Sequence, residues 1–333
     1  AEPDETNDSV TRLADAVDYY KAVQFFFYTQ WNALKAYANR KGVLLVGDIP
    51  IYVSPDSSDL WTHPELFQTD GTMHLTQVAG CPPDGFSATG QLWGNPLYNW
   101  EVHRNSGYEW WIKRIANCFR LYDVVRIDHF RGFDEYYAIP YGDATAENGW
   151  WEKGPGIDLF RAISASLGDR EIIAEDLGYM TDSVKRLVEE SGYPNMKVIE
   201  FAFDERDTGN ASDYLPHNYP RNCVVYTGTH DNETLLSWLE NITPAERRQV
   251  RKYLNNFKDS GKELCDDLIC LVMQSVANLC IVPMQDYLGL DNSARMNQPS
   301  TLGKNWKWRL KEGQFTAELQ KEMLELATRY GRR

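Results

Sequence analysis

Five times along this chain a short aliphatic run leads to a carboxylate: Val43–Ile51 with Asp48, Val124–Ile127 with Asp128, Ile172–Ala174 with Glu175, Cys223–Thr227 with Asp231, and Leu279–Val282 with Asp286. Continuous β-branched runs suit strands covered on both faces, as in a parallel sheet. With a sixth run at Met196–Phe201 they predict six strands, at 43–51, 124–128, 172–176, 196–201, 223–227 and 279–283. Apolar residues at helical spacing fall between and around them, predicting helices over 18–40, 108–122, 157–167, 182–191, 244–257, 262–277 and 316–330. Thr243-Pro244-Ala245-Glu246 reads as a capping box with proline at the first helical position. Strand–helix alternation argues for parallel βαβ units. Polar groups at the C-terminal ends of such strands converge on one mouth in a closed (β/α)8 barrel and line a crevice in an open sheet. The barrel is the better reading, because no glycine-rich phosphate loop of the dinucleotide type follows any strand.

Residues 1–17 read as a polar, frayed N-terminal segment, and 18–333 as the barrel. Residues 54–107, rich in Pro, Gly, Asp and aromatics, read as a long inserted loop region, and a loop of that length is usually functional. A second loop is expected over 141–155. The net charge of −14 argues against nucleic acid or an anionic membrane surface as partner and for a neutral or cationic substrate. The 11 Trp, 19 Tyr and 13 Phe fit either a sugar-binding surface or a well-packed core. Six scattered cysteines without a CxxC pair point to a reducing, cytoplasmic home, and no stretch is apolar enough to cross a membrane. The histidines show neither HxH nor HxxxH spacing, so neither metal nor cofactor is expected, and no GxSxG elbow supports a serine hydrolase.

Arg126 lies two residues before Asp128, so both side chains point to one side of the strand. A guanidinium there is expected to keep Asp128 ionised, as a nucleophile requires, although a structural ion pair reads the same way. Glu175 follows Ile172-Ile173-Ala174 with no adjacent base, which favours a raised pKa and an acid/base role. Asp231 has His230 beside it, a pair suited to sugar hydroxyls. Two carboxyl groups of opposite protonation state facing a neutral substrate are the machinery of glycoside cleavage.

The motifs GDIPIYV (47–53), AGCPPDGFSATGQLWGNPLY (79–98), VRIDHFRGF (125–133), AEDLG (174–178), FAFD (201–204), LPHNY (215–219), VVYTGTHDNET (224–234), ARMNQP (294–299) and NWKWRL (305–310) occur in order. In them the chain resembles the 4-alpha-glucanotransferases called amylomaltase or disproportionating enzyme, glycoside hydrolase family 77, from about residue 20 onward. The resemblance implies transfer of alpha-1,4-glucan segments between maltooligosaccharides by a retaining double displacement. Asp128 would be the nucleophile, Glu175 the general acid and then base, and Asp231 the transition-state stabiliser. Asp48, Asp84, Phe86, Trp93, Arg126, His129, Phe201, Asp204, His230 and Asn297 would bind substrate, with segment 79–93 as a flexible loop over the acceptor side. It also implies a location in the cytoplasm, or in the plastid stroma for a plant or algal source.

Two departures stand out. Gly85 occupies a place where many relatives carry a larger residue, which implies weaker loop contacts to the glucan. Nothing matches the two barrel strands and the subdomain that members of the family carry before the strand at 43–51, so a missing N-terminal segment is a candidate partner. An inactive or glycan-binding fragment and a plain alpha-glucan hydrolase are the competing expectations.

Overall fold

Burial decides where the aliphatic runs go. The computed structural model describes residues 3–83, 87–178, 180–204, 211–257 and 260–332. Among these, ten strands form two sheets: β1 (Val46–Ile49), β2 (Gln77–Cys81), β3 (Gln91–Pro96), β4 (Val124–Ile127), β5 (Glu135–Pro140), β6 (Trp150–Lys153), β7 (Ile172–Ala174), β8 (Asn195–Val198), β9 (Cys223–Tyr226) and β10 (Leu279–Ile281). The six expected strands make one curled parallel sheet in the order β1-β4-β7-β8-β9-β10. These are the parallel βαβ units that the alternation of strand and helix predicts, and with six strands they form a half-barrel.

The central strands β4, β7 and β9 are covered on both faces, which is why their runs are almost continuously apolar, whereas the edge strands β1 and β10 leave Val46 and Leu279 exposed. Val125 and Ile127 of β4, with Ile172 and Ala174 of β7, pack outward against Trp111 and Ile115 of helix Glu109–Leu121 and Leu159, Phe160 and Ile163 of helix Ile157–Leu167. Cys223 and Val225 of β9 pack outward on Leu264, Leu268 and Val272 of helix Gly261–Met273. Ile173, Met196, Val198, Val224 and Tyr226 cluster on the inner face. Arg126 alternates with Val125 and Ile127 and so points inward, a buried charge in an otherwise apolar layer.

Gly47 of β1 has no room for a side chain. A Cβ there would lie 2.1 Å from the Tyr122 ring, which packs flat on the strand just after helix Glu109–Leu121. Gly47→Ala is expected to destabilise the fold by about 1–3 kcal/mol through overpacking, read as a lower urea midpoint at unchanged slope.

The structure departs from the sequence reading in three places. The first helix runs from Pro3 to Arg40, through the segment read as frayed. Neither proline nor glycine interrupts the chain between Pro3 and Gly42. Much of its apolar surface is exposed, including Tyr20, Phe25 and Phe26. Trp31 Nε1 and Lys35 Nζ tie it to the body, donating to the carbonyls of Leu121 and Tyr122, each at 2.8 Å. Second, residues 54–107 and 141–155 are not plain loops. They hold β2, β3 and β6, which join β5 in an antiparallel sheet of order β3-β2-β5-β6 that sets Trp93 beside the barrel mouth. Third, the strand read to Phe201 ends at Val198 and continues as a 3-10 turn, Ile199–Phe203.

Candidate active site

Sheet register assembles the centre of the site. Asp48 and Arg126 are paired partners of β1 and β4, so their side chains rise from the inner face as neighbours. Arg126 Nη1 donates to both oxygens of Asp48 at 2.7 Å and to Asp128 Oδ1 at 2.9 Å, while its Nε donates to Met196 Sδ at 3.3 Å. Arg126 is buried, with 9% of its side chain exposed, whereas Asp48 and Asp128 keep 40% and 44%. A buried guanidinium is thus held by carboxylates at the edge of solvent, and these raise its pKa further against the opposing effect of burial.

Arg126 acts on Asp128 in the expected, ionising direction, but other influences outweigh it. Burial is the largest influence and pushes the Asp128 pKa up. Arg126 pulls it down, but Asp48 and Asp231 add to the rise, and the net direction is upward. Glu175 follows its expectation. Burial raises its pKa to about 7 against the pull of Arg126, and the charge of Asp128 adds to the rise.

His129 links these two carboxyl groups. It adopts a left-handed backbone, φ 51°, uncommon for a side chain of this size and frequent at functional sites. That conformation turns its N–H onto Glu175 Oε2 at 2.7 Å, while Leu177 N–H donates to Oε1 at 2.9 Å. Burial and nearby Arg131 lower the imidazole pKa to about 4, so His129 is neutral at pH 7. Trp93 of β3 meets its ring edge-on, centroids 4.8 Å apart.

Asp231 completes the rim from the loop after β9. His230 Nε2 lies 3.3 Å from its Oδ2, and the Asn297 side-chain amide donates to Oδ1 at 2.5 Å. Burial works to raise its pKa, but the His230 and Asn297 contacts and the charge of Arg126 outweigh it, and the pKa is lowered. The same contact raises the pKa of His230.

The sequence-predicted residues fall into three groups. Asp48, Arg126, Asp128, His129, Glu175, His230, Asp231, Asn297 and Trp93 are joined by contacts or electrostatic coupling around one mouth. Phe201 and Asp204 line an adjoining cavity of about 830 Å³ with Asp231, Leu177 and Trp238. Asp84 and Phe86 lie outside the described residues. A second cavity of about 300 Å³ occupies the barrel interior beneath Asp48, Arg126 and His230. Trp306, whose ring centroid lies 5.0 Å from that of His230, was missed as a site residue although its Asn305–Trp308 segment stands out as aromatic. Buried Glu200, one residue before the FAFD motif, was also missed. No group of three or more His, Cys, Asp or Glu among the described residues is arranged to hold a metal.

Comparison with known proteins settles the family. The family model described as 4-alpha-glucanotransferase, Glyco_hydro_77, matches residues 1–316. The chain belongs to this family. It is 50% identical to a 4-alpha-glucanotransferase of Streptococcus pneumoniae over 96% of its own length and 63% of that protein's, and 44% identical to one of Thermus thermophilus over 93% and 63%. The structure of amylomaltase from Streptococcus agalactiae in complex with acarbose superposes with a TM-score of 0.93 at 41% identity, covering 99% of this chain and 66% of that one. Amylomaltase from Corynebacterium glutamicum, 19% identical over 96% of this chain and 50% of its own, shares the fold at a TM-score of 0.71. The chain thus spans about 63% of the length of the curated relatives it matches.

Proposed function

We propose that this chain carries the chemistry of a 4-alpha-glucanotransferase, moving alpha-1,4-glucan segments between maltooligosaccharides by retaining double displacement. The observation that carries the reading is the division of labour among three carboxyl groups around Arg126. Glu175 is raised to about 7, Asp231 is lowered, and Asp128 sits in direct contact with the guanidinium.

In this reading protonated Glu175 donates to the leaving glycosidic oxygen while Asp128 attacks the anomeric carbon. Arg126 holds Asp128 Oδ1, which leaves Oδ2 as the attacking atom. The glucosyl ester forms, and Glu175, now a carboxylate, takes the proton from the hydroxyl of an incoming sugar, which displaces Asp128. Asp231 remains ionised and, with His230, stabilises the cationic sugar ring and its hydroxyls. Asp48 acts through Arg126, since both its oxygens face that guanidinium. Trp93, His129, Phe201, Asp204 and Asn297 are assigned to the walls of the sugar site, together with Asp84 and Phe86. An aromatic wall that excludes water favours a sugar hydroxyl over water as acceptor. Six free cysteines fit a reducing compartment such as the cytoplasm.

Incubation with maltotriose tests the reading. A ladder of longer oligosaccharides together with glucose is the expected result. Products no longer than maltotriose would mean hydrolysis, and no product would overturn the reading for this chain.

A further inference from the structure

The turn Thr229–Asn232 carries His230 and Asp231 at its two central positions, and the Asn232 side chain closes it. Asn232 Oδ1 accepts from both the N–H and the Oγ1 of Thr229, at 2.9 and 2.8 Å. Thr229 Oγ1 in turn accepts from the N–H of Asp231 at 3.3 Å. A backbone N–H only donates, so the carbonyl end of the Asn232 amide must face Thr229 and the NH2 must face away. That NH2 points to Glu200 Oε2 at 3.0 Å, and Glu200 must therefore accept. Glu200 is 4% exposed, in the 3-10 turn after β8. The loop backbone runs tightly against it: a Cβ on Gly228 would lie 2.9 Å from its Oε1. A second buried carboxyl grips the ends of the same loop, Asp286 accepting from Thr227 Oγ1 at 2.6 Å and from Leu235 N–H at 2.9 Å.

We propose that Glu200 is a positioning residue for Asp231, acting through the Asn232 amide to fix the turn that presents Asp231 and His230 to the substrate. The catalytic consequence rests on the proposed function; the geometric one does not. Only one acceptor oxygen at position 200 is needed, so charge is dispensable. Burial and the neighbouring Asp286 and Glu233 push the carboxyl toward its neutral form, against the pull of the Asn232 hydrogen bond and of Arg295. Glutamine keeps an acceptor of the same reach, and leucine fills the space without one.

The experiment compares Glu200→Gln, Glu200→Leu and Asn232→Ala by following the His230 imidazole through a pH titration by NMR, and by kcat and KM for maltotriose. In Glu200→Leu and Asn232→Ala the His230 pKa is expected to fall toward its ordinary value as Asp231 swings away, while Glu200→Gln restores it. Loss of the contact is expected to lower kcat by about 10- to 100-fold with KM changed by less than about threefold, because Asp231 acts mainly in the transition state. In an Asp231→Asn background, Glu200→Leu is expected to cost nothing further. An unchanged His230 titration in folded Asn232→Ala, or equal losses with and without Asp231, would overturn the proposal. A chain that makes no oligosaccharide yet shows the His230 shift would refute the function and leave the positioning role standing.

Discussion

Asp128→Asn is expected to abolish glucan transfer, lowering kcat by a factor on the order of 10⁴ or more, while the folded chain melts at the same temperature or higher. The loss follows from chemistry: an amide oxygen of the same shape is a poor nucleophile and leaves no ester intermediate to be displaced. The stability arises from the same electrostatics. Burial, Asp48 and Asp231 raise the Asp128 pKa despite Arg126, so its ionised form is disfavoured in the fold. Such a group contributes stability that is full below its unfolded pKa and is lost as pH rises through its folded pKa. With 44% of its side chain exposed, Asp128 is screened by solvent, so a neutral isostere changes stability little, and Arg126 keeps both contacts to Asp48. Transfer assays on maltotriose and thermal melts at pH 7 check both halves. Residual transfer within about tenfold of the parent would remove Asp128 from the role of nucleophile.

What could be read before the structure follows a physical pattern. Contacts set by local period were legible: Arg126 and Asp128 lie two apart on a strand, and they meet at 2.9 Å. Contacts set by register between distant strands were not. The pairing of Asp48 with Arg126, 78 residues apart, depends on β1 and β4 lying in a particular stagger, which no local pattern encodes. The ionising pull of Arg126 on Asp128 was legible, but the opposing influences were not, since after burial they come from carboxylates on β1 and on the loop after β9. The second sheet was missed because its strands are spread over 77–153 between turn-rich stretches, and β6, Trp150-Trp151-Glu152-Lys153, lacks an aliphatic run. Glu200 was hidden by its setting, a polar residue in a segment that reads as strand but turns into a 3-10 helix. The family motifs placed Asp128, Glu175 and Asp231 together. The links that join them, through Arg126, the left-handed His129 and the Asn232 amide, became visible only with the backbone in place.

Glu175→Gln is expected to slow transfer from maltotriose by about 10²- to 10⁴-fold, the usual worth of a positioned acid–base group. The loss should shrink for the first step with a sugar donor whose leaving group needs no proton, such as an alpha-glucosyl fluoride. The pH profile supplies the sharper test. Burial sets the Glu175 pKa to about 7, with Arg126 opposing and Asp128 adding to the rise. The acid required for the first step is thus lost as pH climbs through about 7, which predicts a basic limb of kcat/KM there. The parent should show that limb with maltotriose and lack it with the fluoride donor, and Glu175→Gln should lack it with both, leaving any acidic limb, set by ionisation of Asp128, in place. The same shift makes a stability claim of determined sign. The folded pKa lies above the unfolded value, so the contribution of Glu175 is complete below about pH 4.5 and is lost as pH rises to about 7. Urea unfolding across that window should show a falling stability in the parent chain and a flatter line in Glu175→Gln. A basic limb that survives the substitution would assign it to another group, and the acid would then have to be sought elsewhere on the rim.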